Sequence, residues 1–122
     1  MINLGPATRI FLAVGSTDMR KGFNGLSDIV RHRLESDPLN GHLYVFCNKR
    51  RNRIKVMYWD GSGLWICNKR LEKGRFSWPA PEHDEPRMTL SSEAMSLLLG
   101  GIVLEKTRLK NWWRRGVSTE QK

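Results

Sequence analysis

The stretch that most constrains this chain is Arg53–Trp59, "RIKVMYW", with the turn "DGSG" (60–63) behind it. Ile54, Val56 and Tyr58 fall on one side of an extended chain, and Lys55, Met57 and Trp59 on the other. That two-residue period belongs to a β-strand with both faces in use. Asp60–Gly63 supplies residues that tolerate the positive φ angles of a tight hairpin. "LWICNKRL" (64–71) then reads as the returning strand, and "HLYVFC" (42–47) as the strand before, joined by the loop "NKRRN". Strands in sequence with short connections pair antiparallel. Residues 42–71 are therefore expected to form a three-stranded antiparallel meander.

The flanks supply helices. Met19, Phe23, Leu26, Ile29, Val30 and Leu34 recur at helical spacing, which predicts a helix over residues 17–36 with one apolar stripe. Ser16 or Thr17 is its expected cap, and Pro38 disfavours helix just before it. The outer face carries Arg20, Lys21, Asp28, Arg31 and Glu35. Gly22 and Gly25 each weaken such a helix by up to about 1 kcal/mol, tolerable where backbone must approach the sheet or a ligand. "TRIFLAVG" (8–15) reads as a further strand of unassigned pairing, and "RFSWP" as a short edge strand ended by Pro79. "APEHDEP" is an acidic loop, and Ser91 or Ser92 caps a second helix through about Leu99. The expected class is α+β: an antiparallel β-meander of three to five strands, an N-terminal helix packed on it, and C-terminal helices. Residues 1–101 make one domain, and 102–122 a basic, partly helical extension.

Charge is distributed unevenly. The chain of 122 residues carries a formal net charge of +9. Residues 49–75 hold nine cations against two anions, and residues 106–115 five cations with no anion, while residues 76–105 are net acidic. Charge gathered this way speaks about partners more than about fold. Lys49, Arg50, Arg51 and Arg53 lie at one hairpin tip, with Lys55 just beyond. Lys69, Arg70, Lys73 and Arg75 lie at the end of the third strand. The two groups need not form one patch and can bracket the sheet from opposite ends.

Catalytic chemistry finds little support. Asp18, Asp60, Glu72 and Glu85 are scattered, without the clustering a two-metal nuclease requires. His32, His42 and His83 are isolated, and no Cys/His spacing matches a zinc site. "GSG" at 61–63 lacks the lysine and helix of a phosphate loop. Cys47 and Cys67 read as buried free thiols at comparable positions in neighbouring strands. No catalytic residue, metal or cofactor is expected. No apolar run approaches the roughly 18 residues that cross a bilayer, and no signal peptide is visible, so a cytoplasmic, nucleoid-associated protein is expected.

Nucleic-acid binding has a mechanism here. Lys and Arg beside phosphates release condensed counterions, and a β-ribbon fits a major groove while its loops ride the backbone. The candidate contacts are Arg20, Lys21, Lys49, Arg50, Arg51, Arg53, Lys55, Lys69, Arg70, Lys73 and Arg75. Tyr44, Trp59 and Trp65 stack on bases if exposed and pack in the core otherwise, the core being the stronger expectation.

Three stretches, "TDMRKGFNGL" (17–26), "GHLYVFCNKRRNRIKVMYWDGSG" (41–63) and "KRLEKGRFSWP" (69–79), resemble one known family. It is that of the small TnpB, or second-frame, accessory proteins of bacterial insertion sequences in family sixty-six. The resemblance spans about residues 4–101, and the ending "VLEKTRLKNWWRRG" departs from it. It implies a role in DNA transposition beside a larger transposase that carries the catalysis, and no catalytic residues of its own. The expected partners are DNA, chiefly element ends, the transposase, and the other accessory protein of the same element. A protein–protein adaptor without DNA contact and a small DNA-cleaving enzyme are the competing classes.

Overall fold

The alternation in Arg53–Trp59 becomes a strand whose Val56 sits between Val45 on one neighbour and Cys67 on the other. The computed structural model describes residues 7–79 and 85–100. In chain order they form β1 (Ile10–Ala13), α1 (Phe23–Asp28), β2 (Leu43–Cys47), β3 (Arg53–Trp59), β4 (Leu64–Arg70), β5 (Arg87–Leu90) and α2 (Ser92–Gly100). The strands make one sheet in the order β4-β3-β2-β1-β5. β2, β3 and β4 form the expected antiparallel meander. At the β3–β4 turn the Asp60 carboxylate accepts from Ser62 N–H, Gly63 N–H and the Trp65 indole. Gly61 there adopts φ 104°, which a side chain would strain.

The sheet is mixed, and this corrects the expectation of an antiparallel one. β1 runs parallel to β2, with Ile10 beside Leu43 and Leu12 beside Val45. Parallel neighbours need a crossover, and α1 supplies it. β1's other flank is β5, antiparallel, with Leu12 opposite Met88. β5 falls between the expected acidic loop and the second helix, on residues to which the sequence reading assigned no element. The predicted edge strand in "RFSWP" is absent. Phe76 is buried instead, and the Trp78 indole N–H donates to Ala13 O at 3.2 Å.

The first helix is shorter than its apolar stripe. Residues 17–22 are held as a loop, because Thr17 N–H donates to Cys47 O (2.7 Å) and Lys55 Nζ to Lys21 O (2.7 Å). Neither Ser16 nor Thr17 is the cap: Gly22 occupies that position without a side-chain bond. After Asp28 the helix widens into a π-type turn, Ile29–Arg33, where Leu34 N–H reaches Ile29 O (2.9 Å). Met19, expected within the helix, still packs against the same cluster from the loop. Phe23, expected in the stripe, is 50% exposed.

Two apolar layers result. Leu26, Val30 and Leu34 cover one sheet face with Phe11, Ala13, Tyr44, Phe46 and Met57. Ala94, Met95 and Leu98 of α2 cover the other with Ile10, Leu12, Val45 and Val56. β1 and β2 are buried on both faces and so lack polar alternation. Tyr44 is fully buried, and its hydroxyl meets Ser36 Oγ (2.7 Å) and Asn40 Nδ2 (2.9 Å). Ser91 caps α2, its Oγ accepting from Ala94 N–H (3.0 Å). Cys47 is buried, which pushes its thiol up, whereas Cys67 is exposed against expectation. β3 separates the two strands that carry them. The basic 102–122 extension, most of "APEHDEP" and His83 lie outside the described residues.

Candidate nucleic-acid interface

The loop between β2 and β3 is built by two asparagines that bracket its cations. Asn48 Oδ1 accepts from the N–H groups of Asn52 and Arg53, both at 3.0 Å, and its Nδ2 donates to Asn52 Oδ1 at 2.7 Å. Arg51 N–H closes the turn onto Asn48 O at 3.1 Å. Side chains that satisfy nearby backbone in this way shape turns without help from the core. Lys49 and Arg50 are thereby left exposed at the tip.

The third strand returns to the place where the second began, as in any antiparallel meander. Arg70 lies opposite Arg53, and Lys69 opposite Ile54. The chain that follows is tied to the same loop: Leu71 N–H donates to Asn52 O (2.8 Å) and Phe76 N–H to Arg51 O (2.6 Å). The two basic groups thus converge on one end of the sheet, and the opposite-ends arrangement is excluded. Lys21 joins them through the bond its carbonyl accepts from Lys55.

The eleven candidate cations are not equivalent. Arg51 is held by the protein itself. Its guanidinium donates to Gly15 O (3.2 Å) and lies 5.9 Å from the Trp78 ring centroid, while its backbone takes φ 63°. Arg20 grips Asp18, its nearest nitrogen at 2.8 Å, and that hydrogen bond holds the Asp18 carboxyl well below the usual carboxylate range. Arg70 pairs with Glu72 at 3.3 Å, and Lys69 Nζ donates to Leu99 O at 2.5 Å. Among the described residues, no hydrogen bond or ion pair engages the side chains of Lys49, Arg50, Arg53, Lys73 or Arg75.

An open cleft of about 610 Å³ lies beside the tip. One wall is the segment Ser16–Arg20 that follows β1, and the other is Asn48, Lys49, Arg50 and Arg53. Both walls leave the carboxyl ends of the parallel strands β1 and β2, the place where open sheets with crossover helices seat ligands.

The aromatic residues divide. Tyr44 is core and Trp59 half-buried, whereas Trp65 is 49% exposed despite the expectation of burial. Trp65 stacks on Tyr58 at 6.3 Å, and the bonds it and Ser62 give Asp60 hold that carboxyl far below its ordinary range. The β3–β4 turn lies at the opposite end of β3 from Arg53, away from the basic cluster. Sequence reasoning passed over Asn48 and Asn52, and read Thr17 only as a candidate helix cap. The paired asparagines flanking a run of cations were the readable signal for the loop.

Among the described residues, no three His, Cys, Asp or Glu side chains are grouped to hold a metal ion. No helix among them is long and apolar enough to cross a membrane.

The chain is similar to two proteins of Sinorhizobium fredii. The uncharacterized protein y4hO is 39% identical over 102 residues, covering 84% of this chain and 87% of its own length. The uncharacterized protein y4jC is 39% identical over 110 residues, 90% of this chain and 91% of its own. No solved structure matches. The family model described as IS66 Orf2 like protein matches residues 8–109, a range that takes in β1, the basic loop, the cleft and α2. With that model spanning most of its length, the chain belongs to the IS66 Orf2-like family, a family of transposition-associated accessory proteins.

Proposed function

We propose that the protein binds DNA backbone through the basic end of its sheet and, as a non-catalytic accessory, assists a separate transposase at element ends. The observation that supports this is the convergence of Lys49, Arg50, Arg53, Lys73 and Arg75 around the Arg53–Arg70 register pair. Like charges gathered at one site repel, and a polyanion relieves the repulsion while releasing its own counterions. Arg51 is left out of the contacts and serves to shape the loop. Arg20, Lys55, Lys69 and Arg70 contribute charge from the rim. The transposase and the other accessory protein of the element are the protein partners, and the protein acts in the cytoplasm, at the nucleoid.

The test is a mobility-shift titration with element-end and scrambled duplexes at several salt concentrations. Binding that weakens steeply with salt supports DNA contact. No binding at micromolar protein, with retained capture of the transposase, would establish an adaptor instead. Cleavage of the duplex by pure protein with Mg²⁺ or Mn²⁺ would establish an enzyme.

A further inference from the structure

α2 covers the sheet only as far as β3. Its layer includes Ile10, Leu12, Val45, Ile54 and Val56, whereas no residue of β4 is buried. Cys67 lies opposite Val56 and Trp65 opposite Tyr58, so both stand on the face that α2 occupies. Yet Cys67 is exposed and Trp65 is 49% exposed. β4 is also an edge of the sheet, a place that proteins generally cover or charge.

The end of α2 lies against this open strip. Lys69 shares the face, opposite Ile54, and its Nζ donates to Leu99 O, so the chain leaves α2 at Gly100 beside the strip's cationic end. Residues 102–115 follow, outside the described residues, and the family match continues into them as far as residue 109. From Lys69 to Trp65 the strip is about 13 Å long at the rise of a strand. From Gly100 to Trp112 the chain spans about 18 Å even if wholly helical, enough to reach Trp65. Charge selects this segment as the occupant. The strip runs from Lys69 to Asp60, whose carboxylate accepts from the Trp65 indole at 2.7 Å. The segment runs with the opposite signs: Glu105, its one acid, comes first, and Lys110, Arg114 and Arg115 come last. Laid from Lys69 toward the β3–β4 turn, it brings its acid to the cation and its cations to the acid.

We propose that residues 102–115 fold back along β4 and cover Cys67 and Trp65, with Trp112 and Trp113 against the Tyr58–Trp65 stack. This docking does not depend on DNA binding. It gives β4 the cover that α2 leaves out, and it fixes the basic extension to one flank of the sheet.

The experiment measures how fast an aromatic disulfide reagent modifies Cys67 in the full-length protein, with C67S identifying its phase, since Cys47 is buried. Wild type is expected to react at least about ten-fold more slowly than W112A/W113A, because the docked segment must lift before the thiol is reached. The wild-type rate should be the same at every protein concentration, since the cover belongs to the same chain. Equal rates in the two proteins would overturn the docking. Protection that fades on dilution would also overturn it and assign the strip to a second copy. A second measurement stands if W112A/W113A does not fold. Full-length K106C, K110C and N111C are each oxidised mildly, and at least one should close a disulfide to Cys67 within the monomer about ten-fold faster than S118C does, as a held segment brings the two backbones within bonding range. No closure, or closure no faster than that of S118C, would overturn the proposal.

Discussion

Arg53 and Arg70 face each other directly across β3 and β4, two cations in register on one face of the sheet. Like charges in such a pair destabilise an antiparallel sheet, by roughly 0.2–1 kcal/mol relative to neutral partners. Arg53→Thr removes the repulsion and inserts a residue that favours strands. The variant should be as stable as wild type or up to about 1 kcal/mol more stable in denaturant melts. It should also bind duplex DNA more weakly, with the slope of log K against log salt shallower by about 0.9. Loss of stability together with unchanged DNA affinity would mean that the pair serves the fold.

The tip residues should separate by role. Lys49→Ala with Arg50→Ala should leave stability within about 0.5 kcal/mol of wild type, because both side chains are exposed. The same variant should flatten the salt slope by about 1.8, on specific and scrambled duplexes alike. Arg51→Ala should cost about 1–3 kcal/mol of stability through the Gly15 hydrogen bond and the Trp78 contact. Chemical denaturation and mobility shifts on the two variants side by side read both effects.

The helix stripe gives a packing test. Leu26 is fully buried between α1 and the sheet, so Leu26→Ala should cost about 2–5 kcal/mol. Phe23 is half exposed, and Phe23→Ala should cost less, about 1–2 kcal/mol. Equal losses at the two positions in urea melts would show that Phe23 is packed as tightly as Leu26.

Asp60 makes stability depend on pH in one direction. Its carboxylate is held below the ordinary range by the Trp65 indole and the turn's N–H groups, so the folded state favours the charged form. Its contribution is complete above the unfolded value of about 4 and is lost as pH falls through the lower folded value. Thermal melts of wild type and Asp60→Asn should therefore differ by a constant amount above about pH 5 and converge below about pH 4. A gap that widens as the pH drops would rule this out.

The meander is legible in the sequence because strand period, turn chemistry and short connections all act locally. Ile54, Val56 and Tyr58 alternate, and Asp60–Gly63 turns the chain. The helix stripe is legible as a surface but not as a helix. Met19 and Leu26 reach the same core, the first from a loop that long-range bonds to Cys47 and Lys55 hold away from helical geometry. β5 is not legible, since "RMTL" is a strand only because β1 has an open flank to receive it. The parallel pairing of β1 with β2 is likewise a property of the assembled sheet. The shared end of the two basic groups follows from strand direction alone, because β4 returns alongside the start of β3. The capture of Arg51 by Gly15 and Trp78 does not, and neither does the burial of Thr17.

The place of β1 inside the sheet, between β2 and β5, also sets an order in time. The first of the described strands to be synthesised has no local partner: one neighbour begins at Leu43 and the other at Arg87. The meander from Leu43 to Arg70 closes through short loops and can assemble first, whereas β1 must wait for distant segments before both its edges are paired. A chain interrupted before Leu90 would keep an apolar strand with one unpaired edge, the kind of surface that sticks to its own copies. Completing β1 is thus the step that turns a nascent chain into a finished sheet.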